Sequence, residues 1–467
     1  MSIPPRLGLS EAEKDSLLFQ QQEMIERLVA RITELEALVG KPRKTSSNSH
    51  IPPSKDGFGG KKRGKAAAGK RPPREGKARP LADTPDKTER VIADTCGHCG
   101  TDVSAQTQRC RHRYDHIDLP PIAPIVTRIE LFGGRCRGCG QRYRAQAPAG
   151  MPPGTPFGPG IRSLLTYLHH SHHVSFERLS RIATELFGLV ISEGAIANIF
   201  RRMGQDMAAA TKAIGDTLLS ARIIASDETT TRTNGITHWQ WVFISNKAVL
   251  HKIAPRRSRS VAEEVLGDHQ PDVWISDRYA GQQELGKAHQ VCLAHVLRDV
   301  QYAIDCGDTI FAPKVRDHLR WAEPVKVPAM RSIVGIPAEG IRVGKRRHEL
   351  KSSTLACYAA KADTKLSTLM RMPVAHPAGR ILLRQIKAWR TKFFVFLTNR
   401  EVPATNNISE REIRPSVVFR KVTNGFRSDW GAQIHAGYRS VTGTARLSGK
   451  SALGAIRDLV DGTFAVA

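Results

Sequence analysis

Three stretches decide the reading of this chain: Arg222-Ile-Ile-Ala-Ser-Asp227, Val273-Trp-Ile-Ser-Asp277 and Asn406-Asn-Ile-Ser-Glu410-Arg-Glu-Ile-Arg414. The first two are short apolar, β-branched runs that end in a carboxylate, which predicts two strands with an aspartate at each C-terminal end. Between them, Trp239 to Ile244 and Val249 to Ile253 read as further strands, and Arg259 to Leu266 as a helix. The third stretch opens a helix with Glu410 in its first turns; Pro415 would end or kink it. Strand ends hold two carboxylates rigidly, and a helix can bring a third from across the sheet. Such a set supplies the oxygen ligands that two Mg²⁺ about 3.5–4 Å apart require. Taken singly, Asp227 and Asp277 read equally well as turn or cap residues, and Glu410 as a solvated charge. The shared strand-end placement and the basic surroundings favour the metal.

Those surroundings are extensive. Lys+Arg 71 against Asp+Glu 44 gives a net charge of +27 over 467 residues, which makes nucleic acid the first candidate partner. No run approaches the ~18 apolar residues of a membrane span, and Met1 to Asp15 lacks a signal-peptide pattern. A cytoplasmic, nucleoid-associated protein without a membrane partner is therefore expected. In that reducing setting the 8 cysteines are not a disulfide framework. Four of them form Cys96-Gly-His-Cys99-Gly and Cys136-Arg-Gly-Cys139-Gly, two knuckles that can present four thiolates to a structural Zn²⁺ with no open position. Arg113 to Leu119 and Val126 to Phe132 are expected as the strands of this ribbon, with Cys110, His98, His112 and His116 as rival ligands.

Upstream, Leu18, Gln21, Ile25, Leu28, Ile32, Leu35 and Val39 alternate by three and four residues, a heptad seam suited to a parallel two-stranded coiled coil or to packing within the chain. From Lys41 to Pro80, 13 Lys/Arg face only Asp56 and Glu75, the composition of a basic linker that cannot bury a core. After the ribbon, Ile161 to His170, Phe176 to Phe187 and Ser192 to Met203 read as three helices, with Ser192 an N-cap. They suit a helix-turn-helix reader or a plain scaffold. His169, His170, His172 and His173 are expected as solvated or satisfied side chains, and Trp321, Trp389 and Trp430 as core. Arg411, Arg414, Arg420 and Lys421 surround the third acid and suit phosphate, although Glu410 with Arg414 is also an ordinary i,i+4 pair.

Taken in order, these pieces resemble the bacterial insertion-sequence transposases of the DDE type, in particular the IS66 family. The resemblance rests on the zipper, Lys44-Thr-Ser-Ser-Asn-Ser-His-Ile-Pro-Pro-Ser54, the paired knuckles and Ser226-Asp227-Glu228-Thr229. It continues through Ser276-Asp277-Arg278-Tyr279-Ala-Gly281, Cys292-Leu-Ala-His295, Asn406-Asn407-x-x-Glu410-Arg411-x-x-Arg414-Pro415, Arg420-Lys421, Trp430-Gly431-Ala432 and Thr444-Ala-Arg-Leu-x-Gly449. Where the family often has Asp before the paired asparagines, this chain has Thr405, which would retune helix capping.

The resemblance implies a multidomain α/β protein. Its RNase H-like catalytic domain (220–305 and 401–445) carries a helical insertion (306–400) and a C-terminal tail (446–467). A coiled coil (11–39), basic linker (40–92), zinc ribbon (93–145) and helix-turn-helix-like module (160–205) precede it. Asp227, Asp277 and Glu410 are implied as ligands of two Mg²⁺ or Mn²⁺. Cys292 and His295 resemble a CxxH element and are expected to brace the core beside Asp277 rather than to bind metal. The implied activity is binding of terminal inverted repeats, 3′-end cleavage and strand transfer into target DNA. It would be carried by a homo-oligomer paired through the coiled coil, with accessory proteins of the same element as further partners. Two alternatives are a metal-dependent nuclease without strand transfer and a zinc-containing DNA-binding protein with a relict catalytic site.

Overall fold

The computed structural model describes residues 10–39, 42–49, 51, 79–154, 156–322 and 350–466. The basic run 52–78 and residues 323–349 of the insertion lie outside the described residues, as do the side chains of Ile32, Leu35, Val39 and Trp321.

At the centre is a five-stranded sheet in the order β5-β4-β3-β6-β7. Its strands are β3 (Ile223–Thr233), β4 (Ile236–Ile244), β5 (Val249–Ala254), β6 (Val273–Ser276) and β7 (Ala288–Val291). β3, β4 and β5 are antiparallel; β6 and β7 run parallel to β3. This mixed α/β arrangement is compatible with an RNase H-like domain.

β3 is longer than its apolar run indicates, so Asp227 sits within the strand and not at its end. The reason is the hairpin Thr233-Asn234-Gly235-Ile236, in which Asn234 (φ 52°) and Gly235 (φ 76°) are both left-handed. That two-residue turn matches strand twist and carries β3–β4 pairing from Ala225–Ile244 out to Thr233–Ile236.

Each face of the sheet has its own core. On one, Ile224, Trp241, Phe243 and Trp274 meet α2 (Pro159–His172), α3 (Phe176–Phe187), α4 (Glu193–Leu218), α5 (Arg259–Leu266), α12 (Asp429–Leu447) and α13 (Ala452–Val460). On the other, Ala225, Val242, Ile275 and Val291 meet α6 (Leu293–Asp305), α7 (Phe311–Ala322), α8 (Ser352–Met370), α9 (Pro377–Trp389), the short α10 (Val395–Thr398) and α11 (Asn407–Thr423).

Ser192 caps α4 as expected, its Oγ accepting from Ala195 N. The helix does not stop at Met203, because Met207, Ala210, Ile214 and Leu218 continue the buried stripe. The three-helix module therefore shares a core with the sheet. The segment after 446 carries α13, with Ala455 and Ile456 buried in the same core. Pro415 does not end α11, whose buried Ile413, Ser416 and Phe419 hold the helix to the sheet on both sides of it. The open edge of β5 is satisfied by side chains of α12: Ser440 Oγ accepts from His251 N (2.8 Å) and Thr444 Oγ1 from Val249 N (3.0 Å).

The N-terminal helix α1 (Glu11–Val39) leaves Leu18, Ile25 and Leu28 each more than half exposed. Ribbon strands form at β1 (Gly133–Arg135) and β2 (Arg142–Arg144), flanking the second knuckle. Residues 113–119 and 126–132 have no strand; most of their apolar side chains are exposed and only Phe132 O reaches the hairpin, accepting from Ala145 N, whereas the Cys136–Gly140 turn closes that hairpin. No helix among the described residues is long and apolar enough to cross a membrane.

The linker also departs from expectation, because its Thr45–Ser49 turn docks on α6. Asn48 Nδ2 donates to Asp305 Oδ2 (2.8 Å), Asn48 Oδ1 accepts from Thr45 N (2.8 Å), and Lys44 lies over the Tyr302 ring. Asn48 and Ser49 are buried. Asn48→Ala removes a hydrogen bond to a charged acceptor worth about 1.5 kcal/mol. Limited trypsin digestion should then cut at Arg43 and Lys44 roughly tenfold faster, with global stability little changed.

Candidate active site

Asp227 and Asp277 occupy matching positions on neighbouring parallel strands. The register that pairs Ala225 with Ile275 leads two residues further to both aspartates. Strand alternation turns Asp227 toward the face that Ala225 and Ile275 share with α11, and Asp277 continues the same register just past β6. Asp277 follows the last residue of β6, and its Oδ1 accepts from Tyr279 N (2.8 Å).

Glu410 arrives on the first turn of α11, and the residues before it fix the approach. Asn406 donates from Nδ2 to Ser226 O (2.7 Å) and from its backbone N to Cys292 Sγ (3.2 Å). Leu293 N donates to Ala404 O (3.0 Å). Farther along, Arg420 donates to Thr230 O and, at 2.6 Å, to Thr230 Oγ1. The helix is thereby pinned along β3 with its first turn near Asp227.

Asp227 is close enough to both other acids to feel their charge. Burial raises the Asp227 carboxyl well above its ordinary range, and Glu228, Asp277 and Glu410 raise it further by repulsion. A half-buried carboxylate crowded by three others is short of positive charge, and its oxygens are the donors that a hard divalent cation takes. Asp227, Asp277 and Glu410 offer the oxygen donors that Mg²⁺ or Mn²⁺ takes, although the three carboxylates do not all lie within 4.8 Å of one another.

Glu410 has a partner that neither periodicity nor spacing revealed. His295 Nε2 lies 3.2 Å from Glu410 Oε1. The His295 imidazole beside it holds Glu410 below its ordinary range against opposing burial, with Arg298 and Arg414 adding to it. Cys292 does sit beside Asp277, donating from its N to Ser276 O (2.9 Å). Cys292 and His295 do not stand alone, however: with Glu410 they place three ligand atoms within 4.8 Å of one another, the one such set among the described residues. Burial pushes the Cys292 thiol up to about 11.

A second missed group lies on the opposite face of β3. The Glu228 side chain is 1% exposed and pairs with Arg257 at 2.5 Å. Gln282 donates to its other oxygen, and Trp274 Nε1 donates to Gln282 Oε1 (3.1 Å). The Arg257 guanidinium stacks over Tyr279 (3.9 Å) and Trp239 (4.9 Å), and Tyr279 Oη donates to Arg257 O (2.5 Å). One chain of contacts thus runs from the neighbour of Asp227 to the tyrosine whose N–H holds Asp277. The Asp227-Glu228 and Asp277-Arg-Tyr279 adjacencies carried that signal; nothing marked Arg257 in its loop after β5. Arg278, next to Asp277, pairs with Asp299 on α6.

Of the four cations expected near the third acid, Arg411, Arg414 and Lys421 are exposed, whereas Arg420 is engaged with β3. Arg411 Nε donates within its own helix, to Asn407 O. His169 and His170 are core side chains: His169 Nδ1 meets Val174 O (2.7 Å), His170 Nδ1 meets His435 Nδ1 (3.3 Å), and burial lowers both. Trp389 and Trp430 are partly buried against the two cores.

Both cysteine knuckles have the same backbone form. Cys96 N donates to Thr101 O and Gly100 N to Cys96 O; Cys136 N donates to Gln141 O and Gly140 N to Cys136 O. Gly100 (φ 73°) and Gly140 (φ 70°) take the left-handed turn each knuckle needs. Hydrogen bonding by Thr101 lowers the Cys99 thiol to about 7, and the Cys139 backbone lowers Cys136. Each knuckle so disposed suits a pair of thiolate ligands, but no three of the four sulfurs lie within 4.8 Å of one another.

Residues 154–434, more than half of the chain, match the family model described as Transposase IS66 family. A comparison with curated proteins returned no relative.

Proposed function

Starting from a chain that belongs to the IS66 family of transposases, we propose that it cleaves the 3′ ends of its element and joins them to target DNA. The observation that supports this reading is the carboxyl of Asp227, raised by burial and then by the charges of Glu228, Asp277 and Glu410 around it. These three residues would hold two divalent cations, preferably Mg²⁺, which activate the attacking water or 3′-hydroxyl and neutralise charge on the phosphate. The chain's own residues do the rest. Asn406 and Arg420 fix α11 against β3, so Glu410 faces the aspartates at a set height. Arg411, Arg414 and Lys421, exposed on the same helix, hold the DNA backbone. No tyrosine or serine nucleophile is required, since both steps are in-line displacements.

The other modules serve DNA and assembly. Cys96, Cys99, Cys136 and Cys139 hold one structural zinc, and the ribbon with α2–α4 contacts the terminal repeats. The exposed Leu18, Ile25 and Leu28 pair α1 with that of a second copy.

The test is Mg²⁺-dependent cleavage and joining of DNA that carries the flanking element ends, comparing the parent with Asp277→Asn. Cleavage with joining, both lost in the variant, is the expected result. Cleavage without joining would favour a nuclease, and activity surviving in the variant would remove Asp277 from the site.

Arg257 gives an independent prediction. Arg257→Met leaves Glu228 without its countercharge beside the acid cluster and frees the ring of Tyr279. Initial cleavage rates should fall about 10–100-fold, the range for outer partners of a metal site. Adding Glu228→Gln should recover part of the loss, because the surplus charge is then removed.

A further inference from the structure

We propose that Cys292, His295 and Glu410 form a second metal site, for a borderline-soft divalent cation such as Zn²⁺, which competes with the paired aspartates for Glu410. The assignment of Glu410 as third carboxylate comes from the reading above; the existence of the second site does not depend on it.

The site is built by the fold. Cys292 is the N-cap of α6 and His295 lies in its first turn, so both aim from one helix end toward the first turn of α11. Their ligand atoms and a Glu410 oxygen lie within 4.8 Å of one another, and the imidazole and carboxylate are already 3.2 Å apart. Ligand atoms on a tetrahedral zinc are separated by about 3.3–3.8 Å. The nitrogen and oxygen therefore stand near that spacing, and the sulfur needs to close by no more than about 1.3 Å. The backbone N–H of Asn406 already donates to Cys292 Sγ (3.2 Å), the outer contact that steadies a thiolate ligand.

Chemistry separates this set from the aspartates. Sulfur, imidazole nitrogen and one carboxylate oxygen suit zinc, whereas Mg²⁺ demands oxygen and keeps much of its water. Binding exchanges the thiol proton, released to solvent, for a Zn–S bond. Three protein ligands leave a fourth position for water. With Oε1 drawn to Cys292 and His295, Glu410 is withheld from the cations at Asp227 and Asp277, and the chemistry stops. Zinc thus sets an off-state through the third acid itself.

The probe is Co²⁺ titrated into the full chain, followed by the thiolate-to-cobalt charge-transfer absorption. Ribbon cysteines contribute equally to every variant and cancel in difference spectra. The parent should show one more cobalt–thiolate equivalent than Cys292→Ser. Glu410→Gln, which keeps the thiol and sits half-exposed on α11, should weaken that equivalent by at least about tenfold. Should Cys292→Ser fail to fold, Glu410→Gln carries the comparison alone. Identical cobalt spectra in all three proteins would overturn the site, leaving His295 as a hydrogen-bond brace. In the cleavage assay, zinc should raise the Mg²⁺ concentration needed for half-maximal rate; zinc inhibition that excess Mg²⁺ leaves unrelieved would overturn the competition. A parent with no cleavage under any condition would count against the transposition chemistry, while the cobalt result would stand.

Discussion

Asp227→Asn should abolish cleavage and joining together, leave DNA binding intact, and in chelating buffer melt at a higher temperature than the parent. The loss follows from ligand chemistry, because an amide brings no charge to the cations. Removing one such charge-stabilising group lowers the rate by about 10²–10³-fold or more. The gain in stability follows from the surroundings of Asp227. Burial and three neighbouring acids raise its carboxyl well above 3.8, so the folded chain binds this proton more tightly than the unfolded chain. As pH rises from about 4, this residue therefore erodes stability until its folded value is passed. Asparagine has neither the charge nor that slope. The variant should be more stable by about 1–2 kcal/mol at neutral pH, the usual scale of an active-site trade between stability and activity. Melting curves across pH with chelator present test this. An unchanged or lowered melting temperature above pH 5 would show that Asp227 is not electrostatically strained.

How legible the molecule is in its sequence depends on how local the signals are. Ile223 to Asp227 and Val273 to Asp277 announce buried strands because parallel central strands are apolar on both faces. The length of β3 was legible too, in Asn234-Gly235, a hairpin signal independent of the apolar run. The ribbon strands were misplaced because alternating apolar residues at 113–132 suggest pairing, but only Phe132, beside the β1–β2 hairpin, finds an edge. α4 outran its expected end because Met207 and Ile214 are buried by α12, which lies more than 200 residues later. The partnership of His295 with Glu410 depends on the same kind of long-range packing. CxxH spacing fixes two side chains on one helix end, but only the tertiary structure supplies the third. Asn48 shows the converse, since a segment too polar to form a core still docks through one amide on Asp305.

Glu412→Gln should destabilise the chain more than any surface change, although Glu412 is not among the three acids assigned to metal. Its carboxylate lies at the heart of α11, α12 and β5: Arg439 reaches Oε1 at 2.7 Å, Arg446 reaches Oε2 at 3.0 Å, and the His251 imidazole lies 3.7 Å away. Burial alone would raise it, yet these partners hold it down to about 2. The arrangement also explains Gly443. A Cβ there would stand 2.9 Å from a Val249 methyl and 3.0 Å from Glu412 Oε1, so α12 approaches the carboxylate only without a side chain. In Glu412→Gln the Arg439 side chain, 4% exposed, loses its countercharge inside the core. Breaking a buried pair from one side costs about 3–5 kcal/mol, a melting shift of about 3–5 °C for a chain of this size. The acid limb of stability changes too. A carboxyl lowered from 4.5 to about 2 contributes fully above pH 4.5 and loses that contribution as pH falls toward 2, so the variant should show a shallower acid limb. Glu412 is two residues from Glu410 on the same helix, so its loss should also lower cleavage. A second change separates charge from shape: Glu412→Leu with Arg439→Met removes both ions, and should recover much of the lost stability if the unpaired guanidinium is the cause. A double variant no more stable than Glu412→Gln would instead assign the loss to packing around Gly443, and Arg439 would be a spacer between α11 and α12 rather than a countercharge.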